Sequence, residues 1–184
     1  MPGFAEVPRG VENLMVAPVT GAANTVGTWV DVPGIGSFEV NVESDSDELS
    51  GDNRIIAVSK SAPSLSGSME WHQINLAALA VVKGGIVSTT GTAGNQISEL
   101  PESDTLTQIN FAIQVAAPGV DVGGSEYQVE VKKATITSGL SESMTTDDWN
   151  TPSLDYAGVS VGGILLVRRQ FEDADNGGLP YEAA

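Results

Sequence analysis

Cysteine is missing from the 184 residues. That excludes a disulfide framework, a thiol nucleophile, an iron–sulfur cluster and the usual structural zinc sites. Histidine is nearly as scarce. One residue, His72, is too few for a histidine-only metal site or for most Ser-His-Asp chemistry within one chain. Cations are few as well: 8 Lys and Arg stand against 24 Asp and Glu, a formal net charge of −16. A field of that sign repels phosphates and anionic lipid headgroups, which argues against tight nucleic-acid binding and against docking on acidic membranes. Transient passage of DNA past such a surface stays compatible with it. No apolar run approaches the ~20 residues of a transmembrane helix; the longest covers 76–82. The first residues, Met1-Pro2-Gly3-Phe4-Ala5-Glu6, show no basic segment leading into an apolar one, so no secretion signal is expected.

What is present is an ordinary globular balance, 41% hydrophobic and 17% charged, at a length that suits one domain over 1–184. Clusters of Gly, Pro, Asn and Asp separate short apolar alternations, the pattern of a mostly β chain. The clearest strand covers 37–43, with Phe38, Val40 and Val42 toward a core and Glu39, Asn41 and Glu43 toward water. A second covers 108–115, with Gln108, Asn110 and Gln114 on its polar face. A third covers 127–132, with Gln128 and Glu130 facing water. Weaker strands are expected over 54–60 and 135–138, a first strand over 11–19, and a buried strand bent at Gly162-Gly163 over 159–167. One segment reads as a helix. Asn75 caps it, Leu76, Leu79, Ala80 and Lys83 fall at helical spacing, Lys83 suits the negative end of the helix dipole, and Gly84-Gly85 stops it. Irregular stretches are expected over 21–27, 88–104 and 141–152. The acidic segment 43–53, with Glu43, Asp45, Asp47, Glu48, Asp52 and Asn53, reads as a long hairpin loop, and 172–184 as an acidic tail.

Candidate chemistry is thin. Asp45, Asp47, Glu48 and Asp52 suggest calcium, but the spacing fails. An EF-hand loop starting at Asp45 places Leu49 at the fifth position and Ile56 where a glutamate belongs. Gly34-Ile35-Gly36 is not a dinucleotide fingerprint, since Glu39 replaces the third glycine and no helix follows. There is no phosphate-binding P-loop. Asp147-Asp148 are adjacent, which in a strand puts them on opposite faces and in a loop leaves them solvated. His72 reads as structural. Trp29, Trp71 and Trp149 lie far apart in sequence and read as core or subunit packing rather than a sugar-stacking platform. No enzymatic activity, cofactor or metal is expected.

The polar strand faces and the acid excess point one way. Copies joined edge to edge would enclose a wide polar channel and remove the exposed edges of an isolated sheet. The order of the pieces supports this. Thr28-Trp29-Val30-Asp31-Val32-Pro33-Gly34-Ile35-Gly36-Ser37 leads into an alternating strand. An acidic hairpin with Leu49-Ser50-Gly51-Asp52-Asn53-Arg54 follows, then the helix Asn75-Leu76-Ala77-Ala78-Leu79-Ala80. Last comes Val129-Glu130-Val131-Lys132-Lys133-Ala134-Thr135-Ile136-Thr137-Ser138-Gly139-Leu140 before a final strand. Over about residues 10–170 this layout resembles the major tail protein, or tail tube protein, of long-tailed non-contractile bacteriophages.

The resemblance implies a tail-tube-like β-sandwich or partial barrel flanked by one short α-helix, mainly β. It implies hexameric rings stacked into a tube, with a tape-measure protein and a tail terminator as partners and genome DNA passing through without specific binding. The protein would be assembled in the host cytoplasm and reside in the virion. On these residues, it implies that strands 37–43 and 54–60 form one inner hairpin and 108–114 with 127–132 the other. Glu39, Asn41, Gln108, Asn110, Gln114, Gln128 and Glu130 would face the lumen. The 43–53 loop, with Glu43, Asp45, Asp47, Glu48, Asp52 and Asn53, would reach a neighbouring ring. A capsid decoration or baseplate protein and a carbohydrate-binding β-sandwich are the alternatives from other classes.

Overall fold

Strands with one apolar and one polar side must bury the apolar side against something. Here they do so by wrapping one long antiparallel sheet and a short helix around a common core. The computed structural model describes residues 10–11, 13–51, 54–73, 75–102, 109–117, 127–142 and 151–170; for 47–51, 54–58 and 170 it describes the backbone. In chain order the elements are β1 (Asn13–Thr20), β2 (Thr25–Val26), β3 (Val30–Asp31), β4 (Ile35–Glu43), β5 (Ser46–Gly51), β6 (Arg54–Lys60), β7 (Ser64–Trp71), α1 (Leu76–Lys83), β8 (Ser88–Thr92), β9 (Asn95–Glu99), β10 (Phe111–Ala117), β11 (Tyr127–Ile136), β12 (Ser153–Gly158) and β13 (Leu166–Gln170). The class is mainly β with one short helix. Among the described residues no helix is long and apolar enough to cross a membrane.

Nine strands form one sheet in the order β2-β1-β10-β11-β12-β7-β4, with β3 also on β1 and β13 also on β11. The sheet is not closed: β4 bounds one end, β2 and β3 the other. β11 joins the two halves. Its first part pairs with β13, Val131 opposite Leu166, and its last part with β12, Ile136 opposite Tyr156. Between them the register against β10 shifts: Ile113 faces Val131 while Phe111 faces Ala134, so Lys132 and Lys133 together oppose Ala112. A bulge of this kind bends a strand and raises its twist. It lets β11 serve both halves.

The core follows. Leu14 and Val16 of β1, Phe111 and Ile113 of β10, Val131 of β11, Leu65, Met69 and Trp71 of β7, and Leu154 and Tyr156 of β12 belong to one buried cluster, with Ala78, Leu79 and Val82 of α1 laid against it. The helix is only 8 residues long, and packing rather than propensity must hold it. Its ends are as expected. Asn75 Oδ1 accepts from the Ala77 amide at 2.9 Å, and Asn75 Nδ2 donates to the Asp31 carbonyl at 2.9 Å, tying the cap to β3. Gly84 ends it at φ 81, where a Cβ would meet Ile109 Cδ1 at 1.8 Å.

Several strand assignments need correcting. Segment 54–60 does not pair with 37–43. Ile35–Glu43 pairs with Ser64–Trp71, and Ser46–Gly51 pairs with Arg54–Lys60, so one long hairpin is built in two tiers. The acidic segment is therefore largely strand rather than loop. The tiers meet where the Ser61 amide donates to the Asp45 carbonyl and the Asp45 amide to Ser61 Oγ, each at 2.9 Å. The stretch expected to be irregular after the helix contains a second hairpin, β8–β9, closed by Ala93-Gly94. Segment 159–167 is not one buried strand. Val161 and Ile164 bridge across a tight turn in which Gly162 and Gly163 take φ 60 and 82, so the glycines reverse the chain instead of bending it. Of segment 135–138, Thr135 and Ile136 end β11, and Thr137 and Ser138 lie just beyond it. Asp147, Asp148, Trp149 and the 172–184 tail lie outside the described residues.

Candidate functional site

The open polar surface of the sheet lies on β4, β7 and β12. Antiparallel register places Glu39 beside Ser68 and Ser68 beside Asp155, and Asn41 beside Ser66. Successive residues alternate faces. Phe38, Met69 and Leu154 thus turn to the core while Glu39, Ser68 and Asp155 turn outward. Glu39, Asn41, Ser66 and Asp155 are exposed and, with Ser68 and Thr137, line a shallow depression. Asn41 Nδ2 donates to Glu39 Oε1 at 2.8 Å. Ser138 Oγ donates to Asp155 Oδ2 at 2.9 Å and accepts from the Asp155 amide at 3.2 Å, which fixes that carboxylate at the rim. The surface is thus acidic and rich in hydroxyls.

Beneath it, Tyr156 supports β4 from the core side. The ring is 1% exposed and stacks on Phe38, centroids 6.1 Å apart. Its hydroxyl reaches over Gly67 and donates to the Glu39 carbonyl at 2.8 Å. Burial, and then the negative charge of Glu39, push the Tyr156 hydroxyl well above the ordinary tyrosine range, so it remains a donor. Gly67 is required for this reach. A Cβ there would lie 2.2 Å from the Glu39 carbonyl oxygen and 2.5 Å from the Tyr156 hydroxyl.

The residues expected to face a lumen divide sharply. Glu39 and Asn41 lie on the open face. Asn110 is half-buried, its carbonyl accepting from the Val19 amide at 2.9 Å. Gln108 lies outside the described residues. Gln114, Gln128 and Glu130 are a correction: they are 3%, 1% and 6% exposed, so the polar side of β10–β11 is closed within the chain and is not a solvated wall. Most of their polar groups find protein partners instead of water, while Gln114 Oε1 is buried with no hydrogen-bond partner among the described residues. Gln114 Nε2 donates to Gln128 Oε1 at 3.2 Å. Glu130 bridges Lys132 Nζ at 2.6 Å and Arg169 Nη2 at 2.5 Å. Buried charges are tolerated when paired in this way. The same ion pair accounts for Lys132, and Lys133 turns to Asn24 Oδ1 at 2.9 Å.

The residues expected in an inter-ring loop sit on the two-tier hairpin. Glu43 and Asp45 are exposed at its midpoint. Asp47 and Glu48 belong to the backbone of β5, and Asp52 and Asn53 lie outside the described residues. Trp71 is buried, 2% exposed, as a core residue. His72 is exposed, its amide donating to the Gly34 carbonyl at 2.7 Å. Among the described residues no group of three or more His, Asp or Glu is placed to hold a metal ion. Ser66, Ser68, Thr137 and Asp155 escaped the sequence reading. Ser64, Ser66, Ser68 and Glu70 alternate with Leu65, Met69 and Trp71, and that alternation was the signal available to find them. No family model matches the chain, and no curated protein matches it.

Proposed function

We propose that this chain is a structural subunit of a phage tail tube, with no catalytic role, whose copies assemble into rings around a channel. The observation that carries the reading is the open acidic, hydroxyl-rich face of β4–β7–β12, backed by a continuous apolar core and ending at a strand edge that is unpaired among the described residues. In this proposal that face lines the channel, with Glu39, Asn41, Ser66, Ser68 and Asp155 in the wall. The buried polar side of β10–β11 takes no part. A wall of carboxylates and hydroxyls fits a conduit for DNA, because phosphates meet negative charge and find no cation to hold them. The two-tier hairpin, with Glu43 and Asp45 exposed, projects toward a neighbouring ring. Negative-stain electron microscopy of concentrated full-length protein tests the proposal: rings or tubes with an open centre are expected, and a monodisperse monomer at high concentration refutes it.

A further inference from the structure

Among the described residues the β8–β9 hairpin is a two-stranded sheet that stands apart from the main one. All ten of its strand residues are exposed, and its strands pair with each other and with no other described strand. One cross-strand hydroxyl contact, Thr89 Oγ1 to Ser98 Oγ at 3.0 Å, supplements the ladder. A lone two-stranded hairpin is marginal in water and gains independent stability from a third strand. Its composition is also unlike the rest of the chain. Residues 86–98 carry no charge in a chain of net −16, Glu99 at the end of β9 being the hairpin's one carboxylate, and they include the two most exposed isoleucines among the described residues, Ile86 at 82% and Ile97 at 61%.

β4 is the complementary surface. Among the described residues it pairs with β7 alone, so the other edge of a nine-residue strand presents open backbone donors and acceptors. Glu39 and Glu43 on this strand and Asp45 just beyond it are exposed carboxylates that reject an acidic partner, while Val42, 46% exposed, offers apolar area beside them. An added strand must therefore be uncharged, rich in hydroxyl and amide donors, and partly apolar. In an acidic chain β8 of this hairpin meets those terms: Ser88–Thr92 carries no charge and offers Thr89, Thr90 and Thr92 as donors, while β9 adds Asn95, Gln96 and the apolar Ile97 and keeps its one carboxylate, Glu99, at the end away from the turn.

We propose that the β8–β9 hairpin of one copy adds to the open edge of β4 in a second copy, continuing the sheet from one protomer into the next. The contact joins two different surfaces, so it propagates from copy to copy and closes only if the rotation between them allows a ring. It rests on the reading that the chain assembles with itself.

Hydrogen–deuterium exchange of the full chain over a concentration series, run beside sedimentation velocity, tests it. Amides of 35–43 and 88–99 are expected to slow together as the chain associates. A Thr90→Glu/Ile97→Glu variant changes only exposed hairpin positions. It should weaken association roughly tenfold or more through like-charge repulsion, and neither segment should then slow. Association that leaves both segments exchanging at monomer rates overturns the contact, as does a variant that associates as tightly as the native chain, or a chain that stays monomeric throughout. Micrographs separate this from the tube reading. Rings without slowed exchange sink the contact and leave the tube, whereas slowed exchange in open chains or dimers sinks the tube and leaves the contact.

Discussion

Replacing Gly67 by alanine should cost far more than a methyl group on a half-buried strand residue ordinarily does. The added Cβ would stand 2.2 Å from the Glu39 carbonyl oxygen and 2.5 Å from the Tyr156 hydroxyl, so β4 and the tyrosine ring cannot both stay in place. The hydroxyl-to-carbonyl bond, 2.8 Å in the native chain, is the first thing lost. A neutral hydrogen bond contributes about 1 kcal/mol net, and leaving its buried partners unsatisfied costs about 1–3 kcal/mol. Overpacking adds about 1–3 kcal/mol. A total of about 2–6 kcal/mol is expected for Gly67→Ala, against about 1–2 kcal/mol for Tyr156→Phe, which removes the hydroxyl alone and keeps the stack on Phe38. Because both changes act on the same hydroxyl, the double variant should be less destabilised than the sum of the two by at least about 0.5 kcal/mol. Urea unfolding of the four proteins, read at constant m-value, measures the cycle. A Gly67→Ala variant within about 0.5 kcal/mol of the native chain, or strictly additive effects, would refute the argument that the glycine exists to let the tyrosine reach across.

Three further outcomes are expected. Glu130→Ala should destabilise the fold by about 2–3 kcal/mol in denaturant melts, because the Lys132 ammonium and Arg169 guanidinium lose the carboxylate between them; their partial exposure keeps the cost at the low end for a buried pair. Asn75→Ala should cost about 1–2 kcal/mol in thermal unfolding, since it removes both the cap on Ala77 and the tie to the Asp31 carbonyl; Asn75→Ser, which keeps a cap, should recover part of it. Self-association should strengthen as sodium chloride rises to ~0.5 M, because copies of net −16 repel one another and salt shortens the range of that repulsion; sedimentation at graded ionic strength reads this, and association that weakens with salt would count against it.

Local signals carried their segments well. The helix was legible down to its cap and its stop, since Asn75, Lys83 and Gly84 each act within a turn of the backbone they satisfy. β4, much of β10 and the start of β11 were legible from alternation. Pairing was not. Segment 43–53, with Glu43, Asp45, Asp47, Glu48 and Asp52, reads as a hairpin loop that would pair 54–60 with 37–43, yet the β4–β7 ladder ends at Glu43, the strands break at residues 44–45 and 61–63, and pairing resumes between β5 and β6. The β8–β9 hairpin hid in a stretch of Ser, Thr and Gly whose alternation has almost no apolar side to mark it.

The candidate face shows the same divide. Alternation at Glu39 and Asn41 and alternation at Gln114, Gln128 and Glu130 look alike in sequence, and period-two patterning establishes only that the two sides of a strand differ. Whether the polar side meets water depends on what lies over it and on whether its groups can satisfy one another. β10 and β11 lie in the middle of the sheet, where an amide finds an amide and Glu130 finds cations from its own strand and from β13. β4 lies at the edge, where Glu39 and Asn41 are exposed among the described residues. Composition and spacing determined the β class, the acidic field and the helix because those are properties of residues and their near neighbours. The exposed polar face, the buried ion pair and the Tyr156 strut arise between residues far apart in the chain, and only the folded arrangement decided them.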